Sequence, residues 1–505
     1  MKRRHLADTP HPSAAQNILS TGIARLDAVL GGGLMPHRLY MIEGLPGTGK
    51  TTLGMQFLHA GAQRGEAVMY ITLSETEEEI RAVAASHGWD LTGIDILEVM
   101  PNEQALMPSE QYTVFDPDEV ELGETNRTIL REVERRRPSR VVFDSLSELR
   151  LLAGSPLRYR HQVLGLKQFF AGRRCTVLML DDRGGSAKEQ QMQSLAHGVI
   201  SLEQWHPDFG RERRRLRVMK YRGHQFQDGY HDFRIVRGGL AVYPRLVAAS
   251  SRQLAPQGTL PSGVPGLDAL LGGGIERGTS TLVTGAPGTG KSTIAAAFAV
   301  AAAERGDAAA LFLFDESIST LRKRMQGLGF PLDVHLGSGR ITTQQVDPAE
   351  LSPGEFVHVV LQAAQGGARV VVIDSLNGYL NAMPDEKFLS VQLHELLTAL
   401  GQLGTSTLLV NVQQGLVGTH MTSPVDASYL ADTVLLLRYF EADGEVRQIV
   451  SVLKKRSGQH ERSLREFSIT PEGLCVGEPL RQFRGLLTGV PVYAGSGAAV
   501  DEGIA

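Results

Sequence analysis

Gly44-Leu45-Pro46-Gly47-Thr48-Gly49-Lys50-Thr51 follows the apolar run RLYMIE (38–43) and precedes a helical pattern. Gly285-Ala286-Pro287-Gly288-Thr289-Gly290-Lys291-Ser292 follows TLVT (281–284) and does the same. A glycine-rich turn between a strand and a helix aims backbone N–H groups inward, and the helix N-terminus adds partial positive charge. Both stretches therefore read as phosphate cradles in the required strand–loop–helix context. Lys50 and Lys291 would reach the outer phosphates, and Thr51 and Ser292 would place hydroxyls on Mg2+. Gly44, Gly47, Thr48, Gly49 and Thr52, with Gly285, Gly288, Thr289, Gly290 and Thr293, complete the two nucleotide-binding sets.

Working outward, the loops belong to an internal duplication. TGIARLDAVLGGGL (21–34) matches SGVPGLDALLGGGI (262–275). Gly22 and Gly263, Lys50 and Lys291, and Glu75 and Glu316 are each 241 positions apart, whereas Asp144 and Asp374 are 230 apart. The first copy thus carries extra residues between those blocks, in the acidic stretch 101–124. The period is far longer than the 20–50 residues of solenoid repeats, so the copies are whole domains. In each copy short apolar runs (RLYMIEG, VMYITL, RVVFD, TVLML; TLVTG, ALFLF, RVVVID, TLLVN) alternate with helical patterns. Such runs read as buried parallel strands. The fold class is α/β, two tandem domains with mostly parallel central sheets and helices on both faces. The expected boundaries are 14–246 for the first domain, 247–260 for a linker, 261–484 for the second domain and 485–505 for a loose tail. The alanine-rich stretch 294–303 is too short to span a bilayer and reads as a buried amphipathic helix.

Carboxylates recur where ligands of such sheets bind, at the carboxyl ends of strands. Asp144 ends RVVF and Asp374 ends RVVVI, positions suited to holding Mg2+ beside the phosphates. Glu75 follows VMYITLS, and Asp315-Glu316 follow ALFLF. An acid there can orient a water or hydroxyl toward the terminal phosphate and accept its proton. Ser74 opposes Asp315, so one site has a single acid and the other a pair. Late in each copy a Lys-x-Arg recurs, Lys220 with Arg222 and Lys454 with Arg456. If subunits form a ring, these cations can be delivered to a neighbour's terminal phosphate.

Composition narrows the function. The chain has 505 residues, 42% apolar and 21% charged, with a net charge of −4 and only 6% aromatics. That balance disfavours a nucleic-acid partner, which asks for a basic excess and stacking aromatics. Two cysteines exclude a disulfide scaffold or a Cys-only zinc site and suit a reducing cytoplasm. The start MKRRHLADTPHPSAAQ lacks an apolar targeting core, and no membrane segment is expected.

The LDxxLGGG before each loop, the acids after the next strand and the terminal Lys-x-Arg together resemble the KaiC family of tandem RecA-like P-loop NTPases over residues 14–484. The resemblance implies an ATP-binding, ATP-hydrolysing protein that forms a homo-hexamer of two stacked rings with nucleotide between subunits. It further implies ATP and Mg2+ as cofactors, a signalling or timing role through an unidentified protein partner, and Ser/Thr autokinase activity in the second domain. The acceptor would be Ser428, with Tyr429 standing where the family has a threonine. Two other readings share the core fold: a DNA-stimulated motor, and a nucleotide-gated scaffold without kinase activity.

Overall fold

The computed structural model describes residues 18–99, 117–182, 193–208, 210–248, 258–381, 389–413, 428–487 and 490–493. The chain divides into two compact units between Arg245 and Leu246. Most of the acidic stretch, the middle of the expected linker and most of the tail lie outside the described residues.

The first unit is built on one nine-stranded sheet. Its strands are β1 (Leu39–Gly44), β2 (Val68–Thr72), β3 (Ile94–Glu98), β4 (Arg140–Asp144), β5 (Thr176–Asp182), β6 (Gly198–Trp205), β7 (Arg213–Tyr221), β8 (His231–Val236) and β9 (Gly239–Tyr243). The order is β3-β2-β4-β5-β1-β6-β7-β8-β9. β3 through β6 run parallel, and β6 through β9 are antiparallel. The apolar runs fold this way because both faces need cover. Tyr40 and Ile42 of β1 join Leu178, Leu180, Ile200 and Leu202 against Leu53 and Phe57 of helix Lys50–Ala62. Leu39 and Met41 point to the opposite face, with Val177, Met179, Leu149, Leu166 and Phe170. Alternate residues of a strand face opposite sides, so a continuously apolar run serves two cores.

The second unit repeats this plan. A two-residue ribbon, β10 (Thr259–Leu260) with β11 (Ile275–Glu276), precedes β12 (Ser280–Gly285), β13 (Ala308–Leu313), β14 (Ile341–Gln345), β15 (Ala368–Asp374), β16 (Ser406–Val412), β17 (Thr433–Ala442), β18 (Glu445–Lys455), β19 (Arg465–Thr470) and β20 (Gly473–Pro479). The sheet order β14-β13-β15-β16-β12-β17-β18-β19-β20 is that of the first unit. Both units are the tandem RecA-like architecture expected from the repeat.

One expectation needs correction. Helix Lys291–Glu304 is not amphipathic: every residue from Ile294 to Ala303 is buried. Its alanines let it pack on the sheet on one side and under other segments on the rest, and a helix apolar all round is a core helix. Among the described residues, no helix is long and apolar enough to cross a membrane.

Candidate functional site

Each phosphate loop leaves the carboxyl end of a central strand, β1 or β12, and enters a helix. Gly47 and Gly49 (φ 80° and 102°), like Gly288 and Gly290 (φ 80° and 91°), adopt left-handed backbone that side chains resist. Gly44 admits no Cβ, since one would sit 2.6 Å from the Leu202 carbonyl. Thr48 and Thr289 tie the loops through hydroxyl bonds of 2.8 Å to the carbonyls of Leu45 and Ala286. Thr52 and Thr293, the second residues of the following helices, are buried.

In the first unit Lys50 is buried, and its Nζ donates to the Gly44 and Leu45 carbonyls at 3.0 Å. It also pairs with Asp182 Oδ1 at 2.6 Å. Thr51 Oγ1 donates to Asp144 Oδ2 at 3.0 Å, and the Tyr70 hydroxyl donates to the same oxygen. Burial raises the Asp144 pKa above the usual carboxylate range, against those two hydrogen bonds and the charge of Lys50. β2 stops at Thr72, so Glu75 lies in the turn beyond it, where its N–H donates to Thr72 Oγ1 at 3.0 Å. Glu75 Oε2 is buried without a hydrogen-bond partner among the described residues. Burial, then the charges of Asp144 and Glu79, raise its pKa.

The second unit differs in its electrostatics. Lys291 Nζ donates to the Ala286 carbonyl at 2.7 Å, and burial pulls its pKa down to about 8. Val412 occupies the sheet register held by Asp182 in the first unit, opposite Gly285 as Asp182 is opposite Gly44. Ser292 hydrogen-bonds Asp374, whose pKa is nevertheless pushed up to about 6, first by burial and then by Glu316. Glu316 is ion-paired to Arg324 of helix Ile318–Gly327, while Asp315 accepts from the Ser375 hydroxyl. Glu316 Oε2, Arg324 Nε and Arg324 Nη2 are buried without partners among the described residues.

A hydroxyl next to a carboxylate at the carboxyl end of the sheet suits Mg2+, which takes few protein oxygens and keeps waters and phosphate oxygens. Thr51 with Asp144 and Ser292 with Asp374 meet that requirement. The unpartnered Glu75 and Glu316 oxygens provide an acceptor beside each pair.

The Lys-x-Arg pairs lie elsewhere. Lys220 Nζ donates to the carbonyls of Gln193, Ser194 and Ala196 at 2.7, 3.3 and 2.8 Å, and Arg222 Nη2 donates to Ser194 at 2.9 Å. Lys454 Nζ likewise donates to Ser428 and Ala431 at 2.9 and 2.7 Å, and Arg456 Nη2 to Tyr429 at 2.9 Å. Each pair latches the turn before β6 or β17, at the end of the sheet opposite the phosphate loop. Ser428 and Tyr429 are exposed on the second of these turns, and the neighbouring residue 427 lies outside the described residues.

Asp182, Tyr70 and Arg324 were not anticipated. Asp182 had a signal: it ends an apolar strand run, as Asp144 does. The other two had none, because they reach the site from a strand interior and from about two turns along a helix.

A model of the family "ATPase: KaiC" matches residues 19–247 and 260–481. The chain is 27% identical over 487 residues to the circadian clock protein KaiC3 of Synechocystis, covering 94% of each chain. It is also 27% identical over 487 residues to the circadian clock oscillator protein KaiC of Synechococcus elongatus, covering 94% of this chain and 91% of that one. The KaiC of Acaryochloris marina is 26% identical over 488 residues, covering 93% and 90%.

Proposed function

The chain belongs to the KaiC family of ATPases, and from that premise we propose an Mg2+-dependent ATPase that assembles as a homo-hexamer with nucleotide between subunits. The carrying observation is the pairing, in both units, of a phosphate loop with a hydroxyl–carboxylate pair and a buried, unpartnered glutamate oxygen. Lys50 and Lys291 hold the phosphates, while Thr51, Asp144, Ser292 and Asp374 hold Mg2+. Glu75 and Glu316 orient the attacking water, and a carboxylate of raised pKa, as Glu75 is, accepts its proton more readily.

Strand geometry supports the ring. Arg222 bonds back to His197 beside the start of β1, and the phosphate loop leaves the other end. Five residues of strand separate them, roughly 17 Å at about 3.3 Å per residue. Arg222 therefore cannot serve its own nucleotide, and Arg456 stands in the same relation to β12. Two complementary sites at opposite ends of one sheet suit a head-to-tail contact, which closes into a ring when the rotation allows.

The same separation bears on Ser428. Its hydroxyl would attack the γ-phosphorus of ATP on the next subunit, ADP would leave, and Asp315 or Glu316 would take the proton. Incubation with Mg2+ and γ-labelled ATP should release inorganic phosphate, label Ser428 but not Tyr429, and shift the chain to a hexamer on sizing chromatography. Ser428→Ala should lose the label and keep ATPase activity. One observation favours a nucleotide-gated ATPase without kinase activity: the Asp315 carboxylate is engaged by Ser375. Absence of label with phosphate release intact would establish that reading. The output would be signalling or timing through a protein partner that reads the nucleotide state. Strong stimulation of the ATPase by single-stranded DNA would replace this account with a motor.

A further inference from the structure

Tyr70 lies in the interior of β2, 1% exposed, within the apolar cluster that helix Lys50–Ala62 covers. It stands opposite Val142 of β4, and Asp144 lies two residues further along that strand on the same face. The long phenol spans this diagonal, and its hydroxyl donates to Asp144 Oδ2. Thr51 Oγ1, from the first turn of the helix, donates to the same oxygen at 3.0 Å. Two hydroxyls from two different elements thus grip one oxygen of the carboxylate, and neither of those bonds occupies Oδ1.

The double grip has a physical consequence. The terminal torsion of an aspartate is broad, so one hydrogen bond leaves the carboxylate room to swivel. A second donor carried by a ring that Leu53, Phe57 and Val142 share a core with removes that freedom, because a close-packed core holds its side chains in place. Packing alone does not call for the oxygen, since a phenylalanine would fill the same apolar volume. A buried hydroxyl is costly unless it is bonded, and this one is bonded to a carboxylate of the site.

The second unit is built without this donor. Leu311 stands opposite Val372 as Tyr70 stands opposite Val142, and Asp374 lies two residues beyond as Asp144 does. Leu311 is buried in the apolar core and carries no hydroxyl. Ser292 hydrogen-bonds Asp374 as Thr51 bonds Asp144. The two sites share the helix hydroxyl and differ in the strand hydroxyl.

We propose that Tyr70 is a positioning residue of the first nucleotide site, which fixes the orientation of the Asp144 carboxylate for Mg2+. The inference rests on the Mg2+-dependent ATPase reading above. Groups that orient a metal-holding side chain contribute about 10–100-fold to metal affinity. Tyr70 acts through Asp144, so it governs the metal and leaves the metal-free hold of the loop on phosphates unchanged.

The test uses the full chain carrying Lys291→Ala, so that nucleotide binds at the first loop, with ADP, Mg2+ and Mn2+ as the probes. ADP affinity is measured by calorimetry in EDTA and across a Mg2+ titration, and bound Mn2+ by electron paramagnetic resonance. Mg2+ should tighten ADP binding in the parent chain. Tyr70→Phe keeps the ring, and should raise the Mg2+ concentration for half of that effect about tenfold, weaken Mn2+ binding in the presence of ADP to a similar extent, and leave ADP affinity in EDTA within about twofold. Tyr70→Leu, which installs the residue of the second unit, should move the Mg2+ requirement in the same direction. Equal loss of ADP affinity with and without Mg2+ would make the hydroxyl a packing group, and the proposal would fall. It falls too if Tyr70→Phe moves neither the Mg2+ requirement nor Mn2+ binding while Mg2+ still tightens ADP, and the ATPase reading then stands without it. If Mg2+ has no effect on ADP binding in the parent chain, the Mg2+-dependent reading is itself refuted, and this inference with it.

Discussion

Lys291 offers the most direct test of the second site. Its ammonium is buried at the end of the phosphate loop without the carboxylate that accompanies Lys50, and its pKa falls to about 8 from a usual 10.5. Phosphate oxygens at the same nitrogen would restore the charged form. Nucleotide binding must then take up a proton wherever the ligand-free lysine is neutral. At pH 7 about nine-tenths of Lys291 is charged, and at pH 9 about one-tenth, from the pKa alone. Affinity for Mg-ADP should therefore fall roughly tenfold between these values, with an uptake of about 0.9 proton at pH 9. Asp374, with a pKa of about 6, is ionised throughout that range and contributes little. The assay is calorimetry of the full chain carrying Lys50→Ala, in paired buffers of different ionisation enthalpy. Lys291→Arg is the control, since guanidinium stays charged and should flatten the profile. An affinity that changes less than about twofold, with no buffer dependence of the enthalpy, would refute the assignment of Lys291 as a desolvated phosphate ligand.

Three further outcomes are expected. Glu75→Gln, in a chain carrying Lys291→Ala, should keep nucleotide bound but slow phosphate release about 10²–10⁴-fold; full activity would make Glu75 a turn acid only. Asp182→Asn in the same background should tighten nucleotide binding up to about fivefold, because a partly exposed ion pair worth about 1 kcal/mol no longer competes for Lys50; weaker binding would mean that Asp182 assists the nucleotide. Asp374 has a folded pKa above its unfolded 3.8, so the native state binds more protons between about pH 4 and 6, and its ionised form costs stability above that window. Asp374→Asn should thus stabilise the ligand-free protein at pH 8, by an upper bound of about 3 kcal/mol, and not at pH 4, while abolishing Mg2+-dependent turnover at the second site in a chain whose first site is silenced by Lys50→Ala; equal melting shifts at both pH values would contradict this.

The strands, the duplication and the phosphate loops were legible because each is a local pattern. An apolar run of four to six residues states its own burial, and a loop between strand and helix states its own geometry. Asp144 and Asp374 were legible for the same reason, standing at the ends of such runs. What was not legible depends on strand order. Asp182 meets Lys50 because β5 lies directly beside β1, although three strands separate them in sequence order. Tyr70 reaches Asp144 because β2 pairs with β4. The sequence presents the Lys-x-Arg pairs as cations for a neighbour, but it does not show that their lysines bind the carbonyls of the preceding turn, a contact that the β6–β7 and β17–β18 hairpins create. The all-round burial of helix Lys291–Glu304 escaped a pattern search because alanine marks no face.

Duplication gave both units the same loop, yet the groups around each loop have diverged in charge. Among the described residues around the first, one cation, Lys50, faces three carboxylates: Asp144, Asp182 and Glu75. Around the second, two cations, Lys291 and Arg324, face three: Asp374, Asp315 and Glu316. Three substitutions account for the difference, one being Asp315 where the first unit has Ser74. Val412 at the register of Asp182 removes a competitor for the lysine, and Val83 lies eight residues beyond Glu75, where Arg324 lies eight beyond Glu316. Glu75 is left with a raised pKa and, among the described residues, no cation that lowers it, which suits a proton acceptor for water. Glu316 is held by a guanidinium that restricts where its carboxylate can point, beside a second acid that Glu75 lacks. The opposite directions expected for Asp182→Asn and for raised pH at Lys291 follow from this one asymmetry. At the first loop the lysine's charge is already countered by the chain, and at the second it is left for the phosphate to stabilise.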